Sequence, residues 1–189
     1  MKYDKIILDT DICIKIGGYV KVKFLEIIIP NICNKAYIHE YVYKDELLTP
    51  KNARNQIDNL VKDKIIEILR EDDLEKLDKS IYDATKDKLK KYMIGTEEKG
   101  KNWGECVSIS MAKTLNIPYF LSDERELQSI INRYINTGSK YDLEVVRMKD
   151  VIKWIKENKE CNINRKTAKA LWRSTGKSNE IFDKELWNI

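Results

Sequence analysis

Short apolar runs alternate with longer segments of helical periodicity along this chain. Five runs are too short for helices and predict β-strands, at residues 5–8, 36–39, 64–69, 118–122 and 143–148. Helical spacing of apolar residues predicts helices at residues 11–25, 43–47, 55–62, 74–92, 103–115 and 123–136, and a further helix through Trp154. This alternation predicts an α/β fold of three layers, in which helices flank a central, mainly parallel sheet.

Glycine and proline mark the expected interruptions of this pattern. Segment 11–25 is predicted as one helix in which Gly17 and Gly18 form a weak point, and Pro30 breaks the pattern that follows it. Residues 160–189 predict one or two amphipathic helices separated by Gly176. We therefore expect a domain over residues 1–150 and a helical C-terminal extension over residues 151–189, packed on the domain or on a partner.

Composition narrows the class of protein. The 189 residues are 42% hydrophobic and 35% charged, which is typical of a folded, solvated protein with one ordinary core. The net charge of +4 permits contact with nucleic acid without requiring it. The four cysteines lack the paired spacing of a zinc or redox site, and no apolar segment is long enough to span a bilayer. No secretory signal is recognised, so we expect a cytoplasmic protein with no membrane partner.

Four carboxylates are placed where ligands bind in such a fold. Asp9 and Asp123 each follow a predicted strand, Glu105 opens the buried helix before the Asp123 strand, and Glu46 lies in the helix after the second strand. Strand carboxyl ends converge on one crevice in a parallel sheet. Since clustered carboxylates repel one another and lose hydration, such a cluster implies a cation, and oxygen ligands suit Mg²⁺ or Mn²⁺.

Each acid also has a structural explanation. Asn102 with Glu105, and Asp123 with Glu126, have the spacing of helix capping boxes, and Asp9 has the position of a helix cap. Glu46 also fits an exposed helical glutamate, and the neighbouring acids Glu40 and Asp45 compete with it for the same role. His39, the single histidine, is interpreted as a structural or surface residue.

Together these segments resemble the PIN-domain family of metal-dependent nucleases. The matching residues are Ile-Ile-Leu-Asp-Thr at 6–10, residues 38–47, Gly-Glu at 104–105 continuing to 112, and Leu-Ser-Asp-Glu at 121–124. The resemblance implies a catalytic set of Asp9, Glu46, Glu105 and Asp123, with Mg²⁺ or Mn²⁺ held by Asp9, Glu105 and Asp123. Glu105 stands where many relatives carry aspartate. The charged segment 72–102 and the C-terminal helices exceed the compact members of the family.

The same resemblance implies an RNA substrate, and it makes this chain a candidate toxin with a neutralising antitoxin. Lys99, Lys101 and Arg125 flank the acids and are the candidate phosphate contacts. Apolar residues of the C-terminal helices suggest packing on the domain, or docking of an antitoxin, another protein or a second copy of this chain.

Two other functions remain open from the sequence. Asp9-Thr10-Asp11 after a buried strand also resembles the aspartate pair of haloacid dehalogenase-type phosphatases, with Asp9 as the phosphorylated nucleophile. A degenerate PIN-like domain that binds RNA or protein without catalysis is the second. Phosphatase activity on a small phosphoester would favour the first, and failure to bind manganese would favour the second.

Overall fold

The protein is built on a five-stranded sheet in which all neighbouring strands are parallel. The computed structural model describes residues 2–95, 100–158 and 161–187. The strands are β1 (Tyr3–Leu8), β2 (Cys33–His39), β3 (Ile66–Leu69), β4 (Tyr119–Leu121) and β5 (Glu144–Val146), in the spatial order β3-β2-β1-β4-β5. In the central strand, Ile7 pairs with Tyr37 of β2 on one side and Phe120 of β4 on the other.

Helices cover both faces of the sheet, as the alternating pattern predicted. Side chains of α1 (Thr10–Gly17), α2 (Phe24–Ile32), α3 (Lys51–Lys62), α7 (Met148–Glu157) and α8 (Arg165–Ser174) share one core with Ile6 and Leu8. The opposite core contains Ile7 and side chains of α4 (Lys76–Met93), α5 (Trp103–Thr114) and α6 (Leu127–Tyr134). β1 is therefore buried on both faces, and the predicted three-layer α/β fold with a C-terminal helical extension is confirmed.

Several predicted helices have different bounds in the structure; the helix predicted at 55–62, for example, begins at Lys51. Segment 11–25 is not one helix: α1 ends at Gly17 and α2 begins at Phe24, while Pro30 lies within α2. A Cβ at Gly17 would lie 2.8 Å from the Cβ of Ala53, so this glycine permits the close approach of α1 to α3. The helix predicted from residue 123 begins only at Leu127, which leaves Asp123 in a loop after β4.

The part of the C-terminal extension that follows α7 packs on the same core as α1, α2 and α7. The core residues that this part contributes are Ile163, Ala168, Leu171, Trp172, Phe182 and Leu186. After α8 the chain turns at Gly176, as predicted, and continues through α9 (Asn179–Ile181) and the π-helical turn Phe182–Leu186. Among the described residues, no helix has the length and apolar character needed to cross a membrane.

Candidate active site

Asp9 lies at the carboxyl end of the central strand and is almost fully buried. Its backbone N–H donates to the carbonyl oxygen of Leu121 at 3.1 Å, which fixes the end of β1 against β4. The Ser122 hydroxyl donates to Asp9 Oδ2 at 2.8 Å. Burial, followed by repulsion from Glu105, raises the pKa of Asp9 to about 7, although the Ser122 bond acts in the opposite direction. Asp9 is thus a deeply buried acid whose charge disfavours the fold.

Glu105 lies in the first turn of α5, close enough to Asp9 for its charge to raise the pKa of Asp9. Burial, and then repulsion from Glu46, Glu124 and Asp11, raises its pKa. Within the part of the chain that the structure describes, neither Glu105 nor Asp9 forms an ion pair. A buried acid beside a half-buried one, with no positive side chain of the described residues paired to either, is an electrostatically unfavourable arrangement that a bound cation would relieve.

Glu46 ends a π-helical turn, Val42–Glu46, and its carboxylate covers the start of α5. It accepts hydrogen bonds from the Thr10 hydroxyl and the Gly104 backbone. A Cβ at Gly104 would lie 2.7 Å from Glu46 Oε1, so only glycine leaves room for the carboxylate in this position. Burial raises the pKa of Glu46 despite these bonds.

The structure distinguishes Glu46 from its neighbouring acids. Glu40 accepts a hydrogen bond from Lys44 and another from the Glu71 backbone, and Asp45 is exposed. Of the three, Glu46 is the one coupled electrostatically to Glu105.

Asp123 differs from the other acids because a lysine holds it. Its Oδ1 accepts from the backbone N–H of Met148 at 3.1 Å, at the start of α7, and its Oδ2 accepts from Lys177 Nζ. Lys177 belongs to the turn after α8, so the C-terminal extension supplies this charge. Asp9 and Asp123 line a shared cleft of about 220 Å³ with Asp11, Lys15, Glu124 and Arg125.

The predicted capping boxes at residues 102–105 and 123–126 are not formed. Asn102 precedes α5 in a left-handed conformation, and its side chain makes no cap bond. Asp123 serves α7 instead of the helix that follows it in sequence, and the cap position of α6 is Glu126, which also makes no side-chain cap bond. The structural explanation for Glu105 and for the Asp123–Glu126 pair is therefore wrong.

The donor set consists of carboxylate oxygens, which is the chemistry that Mg²⁺ and Mn²⁺ prefer. Yet no three His, Cys, Asp or Glu side chains within residues 2–95, 100–158 and 161–187 are arranged to hold a metal ion. Two of the acids are engaged with other partners, since Glu46 is bonded to Thr10 and Gly104, and Asp123 to Lys177. The chemistry of the donors fits a divalent cation, and a three-ligand site requires Asp123 to exchange its lysine for the ion.

The predicted phosphate contacts have different surroundings. Lys99 lies outside the described residues. Lys101 is exposed before α5, and Arg125 lines the cleft. The sequence reasoning did not assign site roles to Thr10, Ser122 or Lys177. Thr10 and Ser122 are each adjacent in sequence to a predicted acid, and both lie within the segments that carry the family resemblance, so the sequence contains a signal for them. Lys177 is far from the acids in sequence.

His39 is buried and structural, which agrees with one of the two interpretations made from the sequence. Its Nε2 lies 3.2 Å from the Tyr82 hydroxyl, which donates to Glu71 at 2.8 Å. Burial lowers the pKa of His39 to about 4, so the ring is neutral at physiological pH. It therefore supports the junction between β2 and α4.

No protein-family model and no curated protein matches this chain. A solved structure similar to it is the crystal structure of VapBC2 from Rickettsia felis bound to a DNA fragment from their promoter. The match covers 76% of this chain and 98% of that one, with a TM-score of 0.46 and 15% sequence identity. A similarity at this level shows nothing about activity. The evidence for a function of this chain is the group of acids at the carboxyl edge of the sheet.

Proposed function

We propose that this chain is a divalent-metal-dependent nuclease, and specifically an endoribonuclease that cleaves RNA phosphodiesters. The observation that carries the proposal is the buried Asp9, which lies beside Glu105 and whose pKa burial raises to about 7; neither acid forms an ion pair within the described parts of the chain. Such a pair destabilises the fold unless a ligand of opposite charge binds there. A hard divalent cation is the ligand that carboxylate oxygens select.

Asp9, Glu105 and Asp123 are the proposed metal ligands, and Glu46 completes the catalytic set. When bound, the ion would polarise a phosphate oxygen and lower the pKa of a coordinated water. Ser122 orients the Asp9 carboxylate, and the Thr10 hydroxyl with the Gly104 backbone fixes Glu46. From this position Glu46 would orient the attacking water or support a second ion.

The finer biological role is also part of the proposal. By its resemblance to PIN-domain nucleases, the chain would act as the toxin of a toxin and antitoxin pair, with an antitoxin as its protein partner. The acid cleft supports cleavage of a phosphodiester, whereas the partner rests on the resemblance alone. Co-expression with a candidate antitoxin, followed by co-purification and loss of RNA cleavage, would test this role.

The test of the activity is cleavage of a labelled single-stranded RNA by the purified protein. We expect cleavage with Mn²⁺ or Mg²⁺ and none in EDTA, and we expect Asp9→Asn and Asp123→Asn each to abolish it. Asp63→Asn is the matched control, because Asp63 ends α3 before the amino end of β3, away from the cleft. Full activity in the Asp9 or the Asp123 variant would overturn the proposed site.

Two further measurements separate the other functions. Hydrolysis of p-nitrophenyl phosphate without cleavage of RNA would identify a phosphatase of the haloacid dehalogenase type. Calorimetric titration with Mn²⁺ is expected to show binding that Asp9→Asn removes. Absence of binding in the wild-type protein would instead identify a degenerate, non-catalytic domain.

A further inference from the structure

A second groove adjoins the acid cleft and is lined mainly by cations. It has a volume of about 400 Å³, and its charged lining comprises Arg125, Arg147, Lys149 and Lys177 together with Asp123. Asp123 and Arg125 also line the acid cleft, so the two depressions are neighbours. Four cations against one carboxylate give this groove a positive potential directly beside the acids.

The cations come from three separate parts of the fold. Arg125 follows β4, and Arg147 with Lys149 follows β5 at the same carboxyl edge of the sheet. Lys177 comes from the C-terminal extension. Arg147 Nη2 donates to the carbonyl oxygen of Arg125 at 2.7 Å, which ties the two loops together.

The turn that carries Lys177 is held in place by a buried tryptophan. Trp172 Nε1 donates to the carbonyl oxygen of Ser178 at 2.7 Å, and the Thr175 hydroxyl donates to the carbonyl oxygen of Trp172 at 2.7 Å. Lys177 Nζ lies 4.8 Å from the centre of the Trp172 ring. The extension thus fixes the backbone on both sides of a lysine that reaches the mouth of the acid cleft.

Three of the four groove cations have no acidic partner within the described parts of the chain, and one of them, Arg147, bonds the carbonyl oxygen of Arg125 instead. Within the described parts of the chain, Arg125 and Lys149 form no ion pair, and both side chains are exposed. A groove with unpaired cations next to a cleft of acids fits a polyanion better than an uncharged or cationic ligand.

We propose that this groove binds the phosphodiester backbone of a nucleic-acid strand and guides it into the acid cleft. The inference rests on the proposed nuclease function, and it assigns the C-terminal extension to the substrate site through Lys177. Arg125 and Lys149 contact phosphates beside the scissile one. Trp172 is buried and is therefore not available for base stacking, so recognition is by charge and is tolerant of sequence.

The test measures binding in EDTA, where cleavage does not interfere. Fluorescence anisotropy would follow a labelled 12-nucleotide RNA, and a DNA of the same sequence, binding to the full chain over a range of salt concentrations. The affinity K falls as salt rises, and each lost phosphate contact reduces the magnitude of the slope of log K against log salt concentration by about 0.7 for single strands. For Arg125→Gln/Lys149→Gln we therefore expect a slope smaller by about 1.4 and an affinity about 25-fold lower at 0.1 M salt.

A matched double variant removes the same charge elsewhere. Lys62→Gln/Lys153→Gln replaces exposed lysines of α3 and α7 that do not line the groove, and it should bind like the wild type. If the groove variant loses the same affinity for RNA as for DNA, the groove recognises the phosphates that both strands share. The same affinity and slope in both double variants would overturn the proposal, as would tighter binding of a labelled decaglutamate peptide than of RNA, which would mark a protein-docking groove.

The two proposals can fail separately. If Asp9→Asn abolishes cleavage while the groove variant keeps wild-type RNA affinity, the nuclease function stands and the groove inference is wrong. If the groove variant loses RNA affinity but the wild-type protein cleaves nothing with any divalent metal, the groove stands and the nuclease function fails. Circular dichroism of each variant confirms that its fold is retained.

Discussion

Replacement of Asp9 by asparagine should stabilise the metal-free protein at alkaline pH. The side chain is 2% exposed, and the uncharged amide retains an oxygen that accepts the Ser122 hydrogen bond. The change removes a charge that burial and Glu105 disfavour. A mutation in the centre of the candidate site is therefore expected to strengthen the fold.

The pH dependence follows from the direction of the pKa shift. The ordinary pKa of an aspartate side chain is 3.8, and that of Asp9 in the folded protein is about 7. Below pH 3.8 the carboxyl is protonated in both states and imposes no penalty. As the pH rises towards 7, the carboxyl ionises in the unfolded chain but not in the folded one, and stability is progressively lost.

The magnitude follows from the same two values. Since one pKa unit corresponds to about 1.4 kcal/mol, the difference amounts to about 4 kcal/mol above pH 7. Relaxation of the site reduces this figure, so we expect Asp9→Asn to be about 2 to 4 kcal/mol more stable than the wild type at pH 8.5. At pH 4 the two proteins should have nearly equal stability.

Urea unfolding in EDTA, followed by tryptophan fluorescence at pH 4 and pH 8.5, measures this difference. Asp63→Asn is the control, because this exposed acid lies away from the cleft. Equal or lower stability of Asp9→Asn at pH 8.5 would refute the electrostatic reasoning. Mn²⁺ at about 1,000 times its Kd should then reverse the order, because binding at that concentration adds about 4.1 kcal/mol to the wild type alone.

Three further changes test the supports of the site. Gly104→Ala should destabilise the protein by about 1 to 3 kcal/mol in thermal unfolding and reduce RNA cleavage, since the new Cβ would meet the Glu46 carboxylate; a gain in stability, as for an ordinary helical glycine, would contradict this. Tyr82→Phe should cost about 1 to 3 kcal/mol in urea unfolding because the buried His39 and the half-buried Glu71 both lose the hydroxyl as a hydrogen-bond partner, without reducing cleavage. Lys177→Gln should raise Mn²⁺ affinity about tenfold in calorimetry by releasing Asp123, and unchanged affinity would show that the lysine does not compete with the ion.

Much of the fold could be predicted because burial on both faces leaves a clear pattern. Ile6, Ile7 and Leu8 form an uninterrupted apolar run, and a parallel strand covered by helices requires one. The acid that follows such a run lies at the carboxyl edge by topology alone. The sequence therefore predicts that Asp9 and Asp123 lie near one cleft, and in the structure both line it.

Other features depend on contacts between residues distant in sequence. The division between α1 and α2 depends on how closely α1 approaches Ala53, and helical periodicity contains no information about that distance. The ion pair between Lys177 and Asp123 joins residues 54 positions apart and depends on the turn that Trp172 holds. The charged lysines of the C-terminal segment look alike in sequence, and only the packing of α8 selects this one.

The ion pair between Lys177 and Asp123 links the C-terminal extension to the proposed metal site. Without a metal, Lys177 neutralises Asp123 while Asp9 and Glu105 have no cation partner among the described residues. A divalent ion on Asp9 and Glu105 would compete with Lys177 for Asp123 and release the lysine towards a groove that already contains unpaired cations. A phosphate that binds the released lysine then favours the metal-bound state. Since coupling between two ligands is reciprocal, the metal should tighten RNA binding by the same factor by which RNA tightens metal binding.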